Sequence, residues 1–290
     1  RLEFKVVRRL DGYFFGDYTG VFYGPSLDLA EVREYQPGDE VRRIDWNVTA
    51  RMSRLYVRQY REERELTAWL LVDLSPSMEF GTRRQLKRDT AIEFAGVAGY
   101  IVTRHGDKVG LLGFPARNVF VPPRSGRTHA LRIIHALEQS AGDPDSAPAV
   151  DLADSLRRLG RLLKRRSLIF LLSDFLGPEG WEVPLRELAR RHDVIGVWIQ
   201  DPAERELPDV GGLFVRDPES GEELWVDTSD ARLRTAYRDL VGRQRARVEA
   251  ALKGNRIDIL ELSTAEPLVE PLTRFIQYRR RRGRWSLAGR

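Results

Sequence analysis

The chain is 290 residues long, with 42% hydrophobic and 31% charged residues, a balance that excludes a disordered or fibrous protein and fits one large domain or one domain with an appendage. No apolar run approaches the roughly 20 residues that span a bilayer, and the first residues, RLEFKVVRRLDGYFFGDYTG, lack the apolar core and small-residue cleavage site of a signal peptide. The absence of cysteine excludes a disulfide framework, a thiolate metal site and a catalytic thiol; with a net charge of only +5, the expectation is a cytoplasmic protein.

In chain order, residues 1–66 read as a β-rich segment and 67–290 as a second region of different character. The first is rich in Tyr, Phe, Val and Gly, with strand-like runs at 20–23 and 55–60 and a turn at Gln36-Pro37-Gly38-Asp39. From Leu66 onward strands and helices alternate. Strands are predicted at 67–73, 108–114, 118–122, 167–173, 193–200 and 257–262, and amphipathic helices at 84–104, 127–140, 150–164, 181–191, 230–253 and 267–280. A hairpin is predicted at 212–227, turning at Pro218-Glu219-Ser220-Gly221, and 141–149 reads as a polar loop between two helices. This alternation predicts an α/β fold: a doubly wound, mostly parallel sheet with helices on both faces, preceded by the β-rich segment. Arg279 to Arg282 and Arg284 form a basic run that reads either as a frayed, solvated terminus or as a contact for nucleic acid, acidic lipid or an acidic protein.

The chemistry concentrates in Ala68 to Gly81, AWLLVDLSPSMEFG. An apolar run with the length of a buried strand ends in Asp73, Ser75 and Ser77, the pattern Asp-x-Ser-x-Ser. Ligands in open α/β sheets collect beyond the carboxyl ends of the strands. One carboxylate and two hydroxyls form a hard-oxygen set suited to Mg²⁺ or Mn²⁺ rather than Zn²⁺. Alone, the pattern reads equally as an Asx or Ser turn capping the next helix. Two further features join it: Thr128, in Ser125-Gly126-Arg127-Thr128 at a helix entrance, and Asp174, at the end of the apolar strand Leu171-Leu172-Ser173-Asp174. Thr128 also reads as a helix N-cap.

On these residues the chain resembles the von Willebrand factor A domains. Their metal-ion-dependent adhesion site joins Asp-x-Ser-x-Ser to a threonine and an aspartate from two other loops. The resemblance implies that Asp73, Ser75, Ser77, Thr128 and Asp174 occupy those places. The hydroxyls would then coordinate Mg²⁺, the aspartates act largely through water, and the open coordination position take an acidic residue of a partner. The run Arg33-Glu34-Tyr35-Gln36-Pro37-Gly38-Asp39-Glu40-Val41-Arg42-Arg43-Ile44-Asp45-Trp46, followed by Thr49-Ala50-Arg51, resembles the signature of the bacterial family catalogued as domain of unknown function fifty-eight, over nearly the whole chain. In that family the block precedes an A-domain-like core; this chain is similar to its short branch without membrane helices. The family implies a partner class, MoxR-type AAA+ ATPases or their clients, in chaperone-like maturation of complexes. By themselves Arg33, Asp39, Arg42, Arg43, Asp45, Trp46 and Arg51 read as a recognition surface or as an ion-paired brace between the β-rich segment and the core, since arginine pairs with carboxylates and stacks on indole.

Other chemistries find less support. No G-x-x-x-x-G-K-[ST] loop and no His-Glu-x-x-His pair is present. A phosphoryl-accepting Asp73 would need a second aspartate two residues on, where Ser75 stands. The expectation is a protein-binding adaptor and no enzyme. A Mg²⁺-dependent phosphohydrolase built on Asp73 and Asp174, and a nucleic-acid-associated protein using the arginine-rich tail, are the alternatives. His105, His129, His135 and His192 are scattered and expected on solvent-facing helix surfaces. Trp198 is expected in the core and Trp181 against a helix start; Trp225, in the hairpin, is expected buried by residue type, while exposure would mark a contact surface.

Overall fold

The structure, a computed structural model, describes residues 31–37, 39, 41, 44–52, 54–59, 66–104, 106–115, 119–140 and 151–287, with the backbone alone at 31–33, 58–59 and 280–287. The strand expected at 20–23 lies outside the described residues. The described residues belong to two compact units, one of 66–275 and one that includes 31–59 and 276–287.

In the smaller unit, β1 (Glu31–Glu34) and β2 (Tyr56–Gln59) pair antiparallel, with Glu31 opposite Gln59 and Glu34 opposite Tyr56. Between them runs α1 (Trp46–Met52). Asp45 starts that helix: its Oδ1 accepts from the backbone N–H of Asn47 at 3.0 Å and of Val48 at 3.2 Å, filling two donors that the first turn leaves free. The Thr49 hydroxyl accepts from Tyr56 N–H at 3.0 Å and ties the helix back to β2.

The larger unit is built on a six-stranded sheet. Its strands are β3 (Thr67–Asp73), β4 (Lys108–Phe114), β5 (Phe120–Arg124), β6 (Leu168–Ser173), β7 (Asp193–Gln200) and β10 (Asp258–Ser263). They lie in the order β10-β7-β6-β3-β4-β5, all parallel except the edge strand β5. The inner strands are buried on both faces, which is why their sequences are continuous apolar runs rather than alternating ones. Its helices are α2 (Lys87–Arg104), α3 (Arg127–Gln139), α4 (Leu152–Leu162), α5 (Glu182–Arg191) and α6 (Ala231–Gly254), together with the first residues of α7 (Val269–Leu287), of which 276–287 belong to the smaller unit. One face of the sheet packs Trp69, Leu71, Ile169 and Leu171 against Leu156 and Leu159 of α4, Leu185 of α5 and Leu252 of α6. On the other, the Phe94 ring of α2 meets Phe170 edge-on at 5.5 Å between centroids. Trp69 lies over Gly110, where an added Cβ would come 2.9 Å from the indole, so the β3–β4 pair depends on that glycine.

The predicted alternation of elements is therefore present, and the fold is the expected doubly wound, mostly parallel α/β sheet. The hairpin of β8 (Gly212–Arg216) and β9 (Glu223–Asp227) lies where the turn signal placed it. Trp198 and Trp181 are buried as expected, whereas Trp225 is 58% exposed, which corrects the burial expected of its residue type. Three further expectations need correction. The arginine run 279–284 lies on α7, which continues to Leu287 instead of fraying. His129 is buried, its Nε2 at 2.8 Å from the carbonyl of Val109. His192 is buried too, its Nδ1 accepting from Ser167 N–H at 3.2 Å. Among the described residues no helix is long and apolar enough to cross a membrane.

Candidate functional site

From β3 the chain first winds outward to β4 and β5, then crosses back to place β6 on the opposite side of β3. The gap between the carboxyl ends of β3 and β6 is thus the point where the winding reverses, the position at which such sheets form a crevice. Asp73 ends one of these strands and Ser173 the other. Ser173 Oγ donates to Asp73 Oδ2 at 2.6 Å, joining the two loops across the gap. Asp73 Oδ1 accepts from Ser75 N–H at 3.0 Å, an Asx turn that folds the chain into a single 3₁₀ turn at Pro76–Glu79. Ser75 Oγ and Ser77 Oγ are brought to 3.0 Å of each other. Just beyond, Gly81 permits a tight return of the chain: a Cβ there would sit 2.4 Å from the carbonyl oxygen of Gln85.

The second loop is held in strain. Phe175 takes φ of 58°, a left-handed conformation that a bulky residue rarely adopts. Its ring is buried beside Trp181 and Trp198, at 5.3 and 6.2 Å. Its N–H donates to Ser173 Oγ at 2.9 Å, and Trp198 Nε1 donates to the carbonyl of Asp174 at 3.1 Å. This fastening fixes where the Asp174 carboxylate points. There it meets a cation that the sequence reading missed: Lys87 Nζ lies 2.6 Å from Asp174 Oδ2 and also bonds Glu204. Lys87 is fully buried. Burial pulls its pKa down, but the carboxylates of Asp174 and Glu204 outweigh it and hold it above the ordinary lysine value. Asp73 is in the opposite position. Burial first, then the Asp174 charge, push its carboxyl up to about 7 against the hydrogen bonds from Ser173 and Ser75.

Four of the five proposed metal ligands, Asp73, Ser75, Ser77 and Asp174, meet at this edge. Thr128 does not. β5 runs antiparallel to β4, with Arg124 opposite Val109. Val109 lies opposite Ala68, five residues before Asp73, so α3 starts about 16 Å back along the sheet at the usual strand rise. Thr128 is exposed there, at the amino edge. The helix that does begin at the carboxyl edge is α4, since it must return to the start of β6; its N-cap is Asp151, accepting from Asp154 N–H at 2.7 Å. Among the described residues no three His, Cys, Asp or Glu side chains converge on a common point. The chemistry of the donor set still suits a small hard cation, because the two serine hydroxyls, hydrogen-bonded to each other at 3.0 Å, are hard oxygen donors beside a carboxylate. Asp174 is already neutralised by Lys87.

In the N-terminal block, Asp39 accepts from Gln36 N–H at 2.8 Å within its turn and Asp45 caps α1. Trp46 is 64% exposed and Arg51 is exposed. Arg42 and Arg43, and the side chain of Arg33, lie outside the described residues.

The sequence profile of the family described as "Protein of unknown function DUF58" matches residues 31–247, well over half of the chain. The chain belongs to this family. Proteins similar to this DUF58 member include the uncharacterized protein Rv1480 of Mycobacterium tuberculosis, 38% identical over 286 residues that cover 97% of this chain and 88% of the mycobacterial one. The uncharacterized protein YeaD of Bacillus subtilis is 27% identical over 148 residues, 47% of this chain and 35% of YeaD. Among solved structures the chain is similar to the conserved hypothetical protein BatB from Bacteroides thetaiotaomicron, at 14% identity and TM-score 0.48 over 74% of this chain and 99% of BatB. It is also similar to the SpRpn10 VWA domain, at 13% identity and TM-score 0.36 over 72% of this chain and 94% of that domain.

Proposed function

We propose that this DUF58 protein is a protein-binding adaptor whose contact site is the carboxyl edge of the sheet between β3 and β6. The observation that carries the reading is the joining of the Asp73-Ser75-Ser77 loop to the Ser173-Asp174 loop by the 2.6 Å Ser173–Asp73 hydrogen bond at the winding reversal. A Mg²⁺ ion, or Mn²⁺ in its place, would be held by the hydroxyls of Ser75 and Ser77. It would supply a Lewis-acidic position for a carboxylate of the partner. Asp73 accepts hydrogen bonds on both oxygens, from Ser75 N–H and Ser173, and so orients the serine loop that would hold the ion. Lys87 pairs with Asp174 and would leave that carboxylate less available to an ion. The partner class is the one the family resemblance implies, a MoxR-type AAA+ ATPase or its client.

The test is binding of purified MoxR-type ATPase to the wild-type chain and to a Ser75→Ala, Ser77→Ala double variant, in Mg²⁺ and in EDTA. Removing two ligand hydroxyls should weaken binding at least about tenfold, or about 1.4 kcal/mol, with little change in melting temperature. EDTA should reproduce the loss in the wild type. Equal affinity with and without chelator would sink the metal part of the reading. Phosphatase turnover lost in Asp73→Asn would replace the adaptor with an enzyme.

A further inference from the structure

The β8–β9 hairpin is unusual for how little of it is buried. Phe214 is 74%, Leu224 67% and Trp225 58% exposed. An isolated two-stranded hairpin is marginal in water, so its position must be fixed at its ends. At the base, Thr228 Oγ1 donates to the carbonyl of Gly211 at 2.7 Å and accepts from Val210 N–H at 3.1 Å. At the tip, Asp217 organises the turn, accepting from Glu219 N–H at 3.0 Å and from Ser220 Oγ at 2.7 Å. The turn aims the Glu219 side chain across 142 residues of sequence to the candidate site, where its Oε1 accepts from Ser77 N–H at 3.0 Å. Ser77 is the residue whose hydroxyl faces Ser75; its N–H is a donor that the first turn leaves open and that the Ser75 side chain does not cap, so the position accepts a carboxylate from elsewhere.

We propose that Glu219 occupies in cis the place of the acidic partner residue, so that the hairpin tip is a built-in competitor that a partner must displace. This rests on the reading of the serine loop as a carboxylate-accepting site and names what regulates it. The matching chemistry is one carboxylate, presented from a preorganised turn, on the backbone amide of the residue whose hydroxyl the adaptor reading assigns to the ion. Tethering gives the tip an effective concentration on the order of millimolar, so a segment with weaker affinity than that is excluded. A partner that succeeds must bring an acidic residue of its own, and it meets the exposed Phe214, Leu224 and Trp225 alongside.

The experiment compares wild type with Glu219→Ala, an exposed substitution outside the core. Two readouts are taken by NMR: hydrogen exchange of the Ser77 amide, and its shift on titration with the free peptide Asp-Pro-Glu-Ser-Gly-Glu, the sequence of residues 217–222. Glu219→Ala should speed Ser77 exchange at least about tenfold and should bind the peptide with a dissociation constant on the order of a tenth of a millimolar, about tenfold below the apparent value for the wild type. Unchanged exchange, identical titrations, or no peptide binding to either protein would overturn the proposal. Repeating the titration in EDTA separates the two readings: peptide binding to Glu219→Ala that survives chelation removes the metal and leaves the competitor in place.

Discussion

Lys87→Met should destabilise the larger unit by about 3–5 kcal/mol, the cost of leaving a buried carboxylate without its ion-pair partner. Lys87 is fully buried, with Asp174 at 2.6 Å and Glu204 bonded on its other side, so its loss strands two acids. Water cannot readily replace the ammonium, because Asp174 is itself buried. The sign against pH follows from the raised lysine pKa. The contribution is complete below the ordinary lysine value of 10.5 and fades only as pH climbs through the higher folded one, so the loss should be constant across the neutral range. Urea unfolding at pH 7 measures it. A second substitution, Asp174→Asn, should recover much of the loss, since the pair together costs far less to remove than either half. A Lys87→Met variant within about 1 kcal/mol of wild type would show that the ammonium is not what balances the site.

Much of this was legible in the chain. The continuous apolar runs of β3 and β6 announced buried parallel strands, and the polar residues at their ends marked the loops that meet where the winding reverses. The misplacement of Thr128 had a readable remedy: only residues 115–119 separate β4 from β5, too few for a parallel crossover, so β5 had to reverse and carry the next helix to the far edge. Lys87 was readable as well. It lies in phase with Ala91, Phe94, Ala98 and Ile101 on the buried stripe of α2, and a charged residue on such a stripe needs a buried partner. Asp45, immediately before α1, has the position of an N-cap, a local role that competes with an ion-paired brace. Glu219 was not readable. Its turn is marked in the sequence, but a contact spanning 142 residues depends on where the sheet carries each loop, and no local pattern encodes that.

Asp73→Asn should stabilise the protein above pH 7 while impairing its function, and the gain should vanish in acid. The folded state holds the Asp73 carboxyl near 7 against an ordinary 3.8, so between these values it binds a proton that the unfolded chain has released. Stability attributable to Asp73 therefore falls as pH rises from about 4 to about 7, and a neutral amide escapes that fall. Ser173 and Ser75 N–H still have a side-chain oxygen to address, and the Ser173 hydroxyl can turn to accept from the new amide. Asp201, also buried, sets the contrast. Burial raises its pKa as well, but donors from Thr264, Thr82 and Ala203 prevail and hold it below the ordinary value. Asp201→Asn should lose stability at neutral pH, with the difference from wild type shrinking as pH falls through the low folded value. Melting temperatures from pH 2.5 to 8 test both, the acid limb for Asp201 and the span from about 4 to 7 for Asp73, and a pH-independent difference between Asp73→Asn and wild type would refute the assignment. The two aspartates differ in how many donors they are given. Asp201 is saturated and serves as a tie between loops, whereas Asp73 is kept short of donors beside a second carboxylate. A fold that only needed stability would have no reason to retain such a group, which supports the proposal that Asp73 belongs to the contact site.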